Sequence, residues 1–548
     1  MNEAGPITVV DTGTGTQTAQ EWWRGAAIYQ IYPRSFADSN GDGIGDLPGI
    51  TAHLDHVARL GVDAIWISPF FTSPMVDYGY DVADYRDVDP TFGTLADFDA
   101  LIARAHELGL KVTIDLVFAH TSDRHAWFVD SRSAKHSAHA DWYVWADANP
   151  DGTPPNNWQS VFGGPAWTWD ARRQQYYYHQ FLKEQPQLNA HLPAVQAALL
   201  DVTRFWLERG VDGFRFDALN HSMFDPSLTD NPPATGDHPR TRPYDFQVKT
   251  FSQNHPDVVG FVERIRAVCD DYGAVFTVAE VGGDGAMPLM KAYTAGEHRL
   301  SSAYGFDFLY APELSADLVA KVMRDWPDAP CADGLSEGWP SWAFENHDAP
   351  RCLSRWADEA SRGPFARLAL ALLTAMRGNV FLYQGQELGL LQDDIPFHLL
   401  KDPEAIANWP LTLSRDGVRT PMPWNAQAPH GGFTRGEPWL PLSAGNIARA
   451  VSAQEGDPDA LLTHTRAMIA LRRAHPALRL GAIEALRAHG DVLTFTRRLD
   501  DEMIHCAFNI GKTAHVHHSP PGEVILTLSG ADTRHLPAWG VVFVKATA

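Results

Sequence analysis

The sequence predicts an α/β protein: a closed (β/α)8 barrel with a loop-rich insertion and a separate antiparallel β domain at its C-terminal end. Three observations carry this. Short apolar runs alternate repeatedly with segments whose apolar residues recur at helical spacing. Between Phe118 and Gln187 the alternation lapses into a stretch rich in Trp, Tyr, Gly and Asn, too long for an ordinary connection. Beyond Pro476 it gives way to short alternating runs separated by turn residues, as in an antiparallel sheet domain.

In order, Ala26 to Pro33 reads as the first strand, and Ile50 to Leu60 shows a helical apolar face. Ala64 to Phe70 is the second strand, followed by a helix over Leu95 to Leu108 with Thr94 as N-cap. Lys111 to Val117 is the third. After the insertion come a helix at Leu192 to Arg209, a strand at Gly213 to Leu219 and a helix at Asp257 to Asp271. Strands at Ala274 to Val281, Gly305 to Tyr310, Ser341 to His347 and Asn379 to Gln384 complete eight. A helix spans Leu461 to Arg473, and the last runs are Val492 to Arg497, Ile504 to Asn509, Val524 to Leu528 and Trp539 to Val544. Eight parallel strands joined by right-handed helical crossovers close into a TIM barrel. A doubly wound open sheet is the alternative, but it needs a Gly-rich phosphate loop where this chain has Tyr29 to Arg34. The expected divisions are a tail at 1–21, the barrel at 22–117 and 188–475, an inserted subdomain at 118–187 and a C-terminal β-sandwich at 476–548.

The net charge of −23 argues against nucleic acid or an anionic membrane as partner. Cys269, Cys331, Cys352 and Cys506 lie far apart without metal-ligand spacing and read as buried free thiols. No signal peptide or membrane span is visible, so a cytoplasmic protein is expected, its oligomeric state left open.

Barrels of this kind place their chemistry at the carboxyl ends of the strands. There this chain has Asp115 and His120, then Arg215 and Asp217, then Glu280, then Glu345 to Asp348. Alternation puts Arg215 and Asp217 on one face of their strand. The guanidinium is expected to keep Asp217 ionised, as a nucleophile requires. Glu280 ends an apolar run, where desolvation raises a carboxyl pKa, as an acid catalyst requires. Two carboxylates flanking one bond are the minimum apparatus for cleaving a glycosidic linkage, and Asp348 is a candidate for stabilising the cationic transition state.

From about Trp22 to its C-terminal domain the chain resembles the α-amylase superfamily of glycoside hydrolases (glycoside hydrolase family 13), and within it the α-glucosidase and oligo-1,6-glucosidase group. The matching segments are Tyr29 to Phe36, Gly41 to Leu47, Asp115 with His120, Gly213 to Asp217, Glu280, Asn346 to Asp348 and Gly385 to Gly389. The resemblance implies Asp217 as nucleophile, Glu280 as acid/base and Asp348 as third carboxylate. It implies His120, Arg215 and His347 as sugar ligands, Asp77 gripping the non-reducing glucose with Tyr80 beneath the ring, and Arg415 pairing with Asp77. Phe162 and Phe181 fall where the insertion lines the pocket in this group. Small α-glucosides are the implied substrates, cleaved with retention from the chain end, with possible transfer of glucose to alcohols and no organic cofactor. Oligo-1,6-glucosidase, sucrose-active hydrolase and transglucosylase of the same superfamily are the alternatives. Ala218 stands where α-1,6-acting relatives have Val, which by analogy favours α-1,4 linkages. Ala119, Gln187 and Glu345 depart from the common pattern, and Glu345 is expected close to the reducing-end subsite.

Asp38, Asn40, Asp42, Ile44 and Asp46 offer oxygens at alternate positions of a Gly-rich turn, as in a calcium loop. The EF-hand's terminal Glu is missing, and an Asx-turn without metal is the plain alternative. Relatives hold a metal at this loop, so a structural Ca2+ or Mg2+ is expected.

Overall fold

The computed structural model of the chain describes residues 21–236, 240–283, 285–326 and 338–546. Residues 1–20 of the expected tail, and Cys331, lie outside the described residues.

Eight strands form the frame: β1 (Ala27–Ile31), β2 (Ala64–Ile67), β3 (Lys111–Val117), β4 (Gly213–Asp217), β5 (Phe276–Glu280), β6 (Ser302–Tyr304), β7 (Trp339–Trp342) and β8 (Asn379–Tyr383). Each pairs in parallel with its successor, and β8 closes on β1. Both faces of such strands are buried, which is why they read as near-continuous apolar runs. Ile28, Trp66, Phe276, Val278 and Phe381 pack together as one cluster, whereas Phe214, Phe216, Ile65 and Leu382 join the large core that includes the helices. Arg215 and Asp217 therefore point away from the phenylalanines of their own strand.

Register sets the levels of the polar residues. Asp115 lies beside Arg215 and Val117 beside Asp217. Ala279 lies beside Phe216, which puts Glu280 level with Asp217, and Glu280 lies beside Tyr304.

Local signals hold at several helices. Thr94 and Asp97 form a capping box at Leu95–Glu107. The first helix starts earlier than its apolar face suggests, at Leu47, because Asp46 caps it through the Gly49 N–H at 2.6 Å.

Three assignments differ. The sixth strand is Ser302–Tyr304 rather than Gly305 to Tyr310. Its one serine is polar but matched, Ser302 Oγ donating to the Trp339 carbonyl at 2.7 Å, while the aromatic run beyond turns outward to a half-exposed Tyr310. The seventh strand ends at Trp342, and an Asx-turn follows in which Asn346 Oδ1 accepts from the N–H groups of Asp348 and Ala349. In the C-terminal domain a strand at Ala482–His489 escaped notice because Ala, Leu and Glu favour helix, and its period is broken by a bulge at Ala485, φ 51°.

The insertion contains an antiparallel sheet of Trp145–Ala146, Gln175–Tyr178 and Trp167–Asp170. Its two ends are tied where the Leu188 N–H donates to the Ala119 carbonyl at 2.9 Å. The C-terminal domain is a five-stranded sheet whose second layer is a two-stranded ribbon, with Leu536 covering Ala507, Val542 and Val544. Phe495, Cys506, Phe508 and Phe543 on the other face join the barrel core. Cys269, Cys352 and Cys506 are free and buried, as expected.

One buried side chain fastens the lower end of the barrel. Arg472 Nη1 donates to the carbonyls of Thr374, Met376 and Leu478, Nη2 to Gly378 and Nε to Gly25. Burial pushes its pKa down to about 9. Arg472→Met strands several buried acceptors, so the chain is expected to lose on the order of 3 kcal/mol in urea unfolding while the folded fraction keeps its kcat.

Candidate active site

At the carboxyl end of the barrel one guanidinium serves three carboxylates. Arg215 Nη1 lies 2.7 Å from Asp115 Oδ1 and 2.5 Å from Asp217 Oδ1, and Nη2 lies 2.6 Å from Glu280 Oε2. Tyr304 Oη accepts from Arg215 Nε and Nη2 and donates to Glu280 Oε1 at 3.0 Å. Glu280 Oε2 also accepts from the Ala218 N–H at 3.2 Å. Trp66 supplies an indole N–H to Asp115 and packs its ring 5.2 Å from the guanidinium carbon. Asp217 and Glu280 thus converge, because β4 and β5 are neighbours in register and Arg215 spans them.

The charge state differs from the expectation for Asp217. Burial outweighs the guanidinium and pushes the carboxyl up, to about 7, with Asp115 adding repulsion. Glu280 is likewise raised to about 7 by burial, against the pull of Arg215. One positive charge divided among three acids cannot hold all of them ionised in a dry site, so the cluster retains a proton near neutrality. Asp348 behaves differently. Burial works against its ionisation, but the Arg419 and Arg415 guanidiniums outweigh it and hold the carboxyl below the usual range. Burial keeps His347 neutral, its pKa lowered to about 3, so the two arginines dominate. Arg419 Nη2 is 2.6 Å and Arg415 Nη1 3.4 Å from Asp348 Oδ1.

The remaining candidates ring this centre. His347 Nδ1 accepts from the Gln30 amide at 2.9 Å, so Nε2 carries the proton, facing Asp348 Oδ2 at 3.2 Å and Tyr80 Oη at 2.5 Å. Tyr80 Oη donates to Asp115 Oδ2 at 3.1 Å. Asp77 sits in a turn braced by Asp81, whose carboxylate accepts from the N–H groups of Val76 and Asp77. Arg415 Nη2 reaches Asp77 Oδ1 at 3.2 Å, and its guanidinium lies 5.0 Å over the Phe162 ring. Phe162 and Phe181 meet edge to face at 5.7 Å, and Phe181 lies 5.2 Å from His120. His120 Nε2 donates to the Tyr80 carbonyl at 3.0 Å, leaving Nδ1 as a buried acceptor without a partner, the kind of orphan a substrate hydroxyl satisfies.

Tyr304, Asp402 and Arg419 escaped sequence reasoning. Asp402 is the principal partner of Arg415, accepting from its backbone N–H at 2.8 Å and from its Nε and Nη2. Only Arg419 had a signal, since it lies in the same segment as Arg415. Glu345 is withdrawn from the site, contrary to expectation: it is buried, pairs with Arg351 at 2.8 Å and accepts from the Cys352 N–H. Gln187 donates to the His221 carbonyl at 2.9 Å.

In the loop at residues 38–46, Asp38 accepts from the N–H groups of Gly41 and Gly43, Asn40 from Asp42, and Asp42 from Ile44. A Cβ on Gly43 would come within 1.9 Å of the Glu437 carbonyl. Every donor to a cation here is oxygen, from the side chains of Asp38, Asn40, Asp42 and Asp46 and the Ile44 carbonyl, which suits a hard divalent ion. The Asx bonds also close the loop by themselves.

Residues 30–481 match the family described as alpha amylase, catalytic domain. The chain belongs to the α-amylase family of glycoside hydrolases. It is 50% identical over 541 residues to a probable alpha-glucosidase of Rhizobium meliloti (strain 1021), covering 96% of this chain and 97% of that one. It is 34% identical over 527 residues to an oligo-1,6-glucosidase of Heyndrickxia coagulans, covering 90% and 92%. The solved structure of the alpha-glucosyl transfer enzyme XgtA superposes with a TM-score of 0.91 at 46% identity, covering 96% of this chain and 100% of that one.

Within this glycosidase site the Tyr304 hydroxyl favours the ionised form of Glu280, since it donates to the carboxylate. Tyr304→Phe is therefore expected to raise the Glu280 pKa and move the basic limb of the kcat/KM profile to higher pH. An unchanged profile would assign the ring to packing alone.

Proposed function

We propose that this chain is a retaining, exo-acting α-glucosidase that releases α-glucose from short α-glucosides and can pass it to an alcohol. The observation that carries the reading is the single guanidinium of Arg215 holding Asp217 and Glu280 together, with Asp77, Arg415 and Asp402 forming a charged wall nearby.

Asp217 and Glu280 take nucleophile and acid by residue-by-residue resemblance, since both carboxyls titrate near neutrality. Ionised Asp217 attacks the anomeric carbon while Glu280 gives its proton to the departing oxygen, so the leaving group exits as a neutral alcohol. Glu280, now ionised, takes a proton from water or an acceptor alcohol, whose oxygen displaces Asp217 and restores the α configuration. The shared proton suits this exchange, because the free site needs Asp217 ionised and Glu280 protonated at once. Asp348, fully charged, holds sugar hydroxyls or faces the oxocarbenium-like transition state. Asp77 grips the terminal glucose with Arg415, a charge-assisted clamp that shuts the pocket to internal chain segments. Tyr80, His120, His347, Phe162 and Phe181 complete the glucose subsite.

Linkage preference rests on Ala218. It follows Asp217 in the left-handed conformation, φ 41° and ψ 43°, where a β-branched residue is more strained. The free buried thiols fit a reducing, cytoplasmic setting, and small α-glucosides are the partners. The loop at Asp38, Asn40, Asp42, Ile44 and Asp46 would hold a structural Ca2+ or Mg2+, which supplies rigidity and no chemistry.

Anomer-resolved NMR on maltose and isomaltose tests the activity: α-glucose is expected first, with the higher kcat/KM on maltose. First-formed β-glucose would overturn retention, and a preference for isomaltose the linkage. Asp217→Asn and Glu280→Gln are expected to lower kcat by several orders of magnitude with unchanged circular dichroism. Dialysis against a chelator is expected to lower Tm by a few degrees and restore it on adding Ca2+ or Mg2+; an unmoved Tm would leave the loop to its Asx bonds.

A further inference from the structure

Outside the pocket, the described residues hold one cluster of metal-ligating side chains that the glycosidase chemistry does not use. His191 immediately precedes the segment leading into the helix Pro193–Glu208, and His255 and Asp257 precede the helix Val258–Asp270. The two helices follow β3 and β4 in the chain and pack against each other. Ring nitrogens of both histidines and a carboxylate oxygen of Asp257 lie within 4.8 Å of one another. We propose that His191, His255 and Asp257 bind a borderline divalent transition metal of the Zn2+ class, fastening the starts of these two helices.

Three features favour a cation. His191 Nδ1 stands 3.7 Å and His255 Nδ1 3.6 Å from Asp257 Oδ2. Such gaps are too long for hydrogen bonds, yet close to the edge of about 3.4 Å between ligands bound tetrahedrally at 2.0–2.2 Å. The ring proton of His191 is also accounted for: Nε2 donates to the Phe224 carbonyl at 2.8 Å, so in the neutral ring Nδ1 turns a lone pair toward Asp257. A backbone carbonyl on the remote nitrogen is the usual support of a metal-bound imidazole. Finally, His255 Nδ1 is an acceptor whose lone pair is held only by a long bond from the Asp257 N–H at 3.3 Å, which a metal ion would replace. Two ring nitrogens and a carboxylate thus converge, and the one donor among them, the Asp257 N–H, holds His255 Nδ1 only at 3.3 Å, an arrangement that a positive ion relieves.

The ligand types set the class. Two imidazoles and one carboxylate suit zinc or its first-row neighbours, whereas Ca2+ and Mg2+ prefer an all-oxygen shell. The Asp257 side chain is two-thirds exposed, which leaves water room for a fourth position. The ion would act on stability, since none of its ligands touches the glucosidase residues named above.

Isothermal titration of the full-length, chelator-treated chain with ZnCl2 tests this, alongside thermal melting. One Zn2+ per chain in the micromolar range and a Tm raised by a few degrees are expected, unaffected by excess Ca2+. His191→Ala and His255→Ala are each expected to weaken binding at least about tenfold and abolish the Tm rise, with kcat on maltose unchanged. Asp257→Asn keeps the side-chain size, and is expected to weaken binding similarly. Absence of a saturable site, or binding that survives these substitutions, would overturn the proposal. Displacement by Ca2+ would also overturn it, by moving the ion to the all-oxygen loop.

Discussion

The site depends on one buried positive charge. Arg215 carries no solvent exposure, and Asp115, Asp217 and Glu280 all lean on it. Without a guanidinium at this level, three acids around one dry cavity would repel one another and take up protons, and the strand ends would lose the reason to converge. A planar fork is also the right shape, because its nitrogens reach two neighbouring strands at once. Lysine offers a single point of charge and no such span.

A second group of charges works across loops rather than strands. Arg415 joins Asp402 from its own excursion to Asp77 from the turn after β2 and to Asp348 from the turn after β7. Arg419 adds a second guanidinium to Asp348. The result is a site divided electrostatically, with raised carboxyls at Asp217 and Glu280 and a firmly ionised one at Asp348. Tyr80 and His347 connect the two halves through hydrogen bonds to Asp115 and Asp348. These bonds fix the orientation of the groups that a sugar ring would meet, so little reorganisation is left for the moment of reaction.

Much of this was readable in advance, for stated reasons. Strands buried on both faces announce themselves as apolar runs, and polar residues at their carboxyl ends stand out against that background, as with Arg215, Asp217 and Glu280. Thr94 followed by Asp97 marks a helix start without any tertiary information. The misses have local causes too. Ser302–Tyr304 was hidden because its serine is matched by partners distant in sequence, Ser341 and Trp339, and Ala482–His489 because its residues favour helix. Glu345 looked like a site residue by position, but its partner Arg351 turns it into the core.

By itself the amino-acid order determined the barrel, the place of the insertion, the family and the acids at the rim, since these follow from periodicity and from short motifs whose spacing is local. Only the tertiary structure decided the charge state of those acids and the identity of their partners. A carboxyl's pKa answers to burial and to every charge within a few ångströms, and at Asp217 burial overrides the adjacent arginine that the sequence displays so plainly. Tyr304, Asp402 and Arg419 matter for the same reason: they are far from the acids along the chain and reach them only after the cylinder closes and the long loops fold over it.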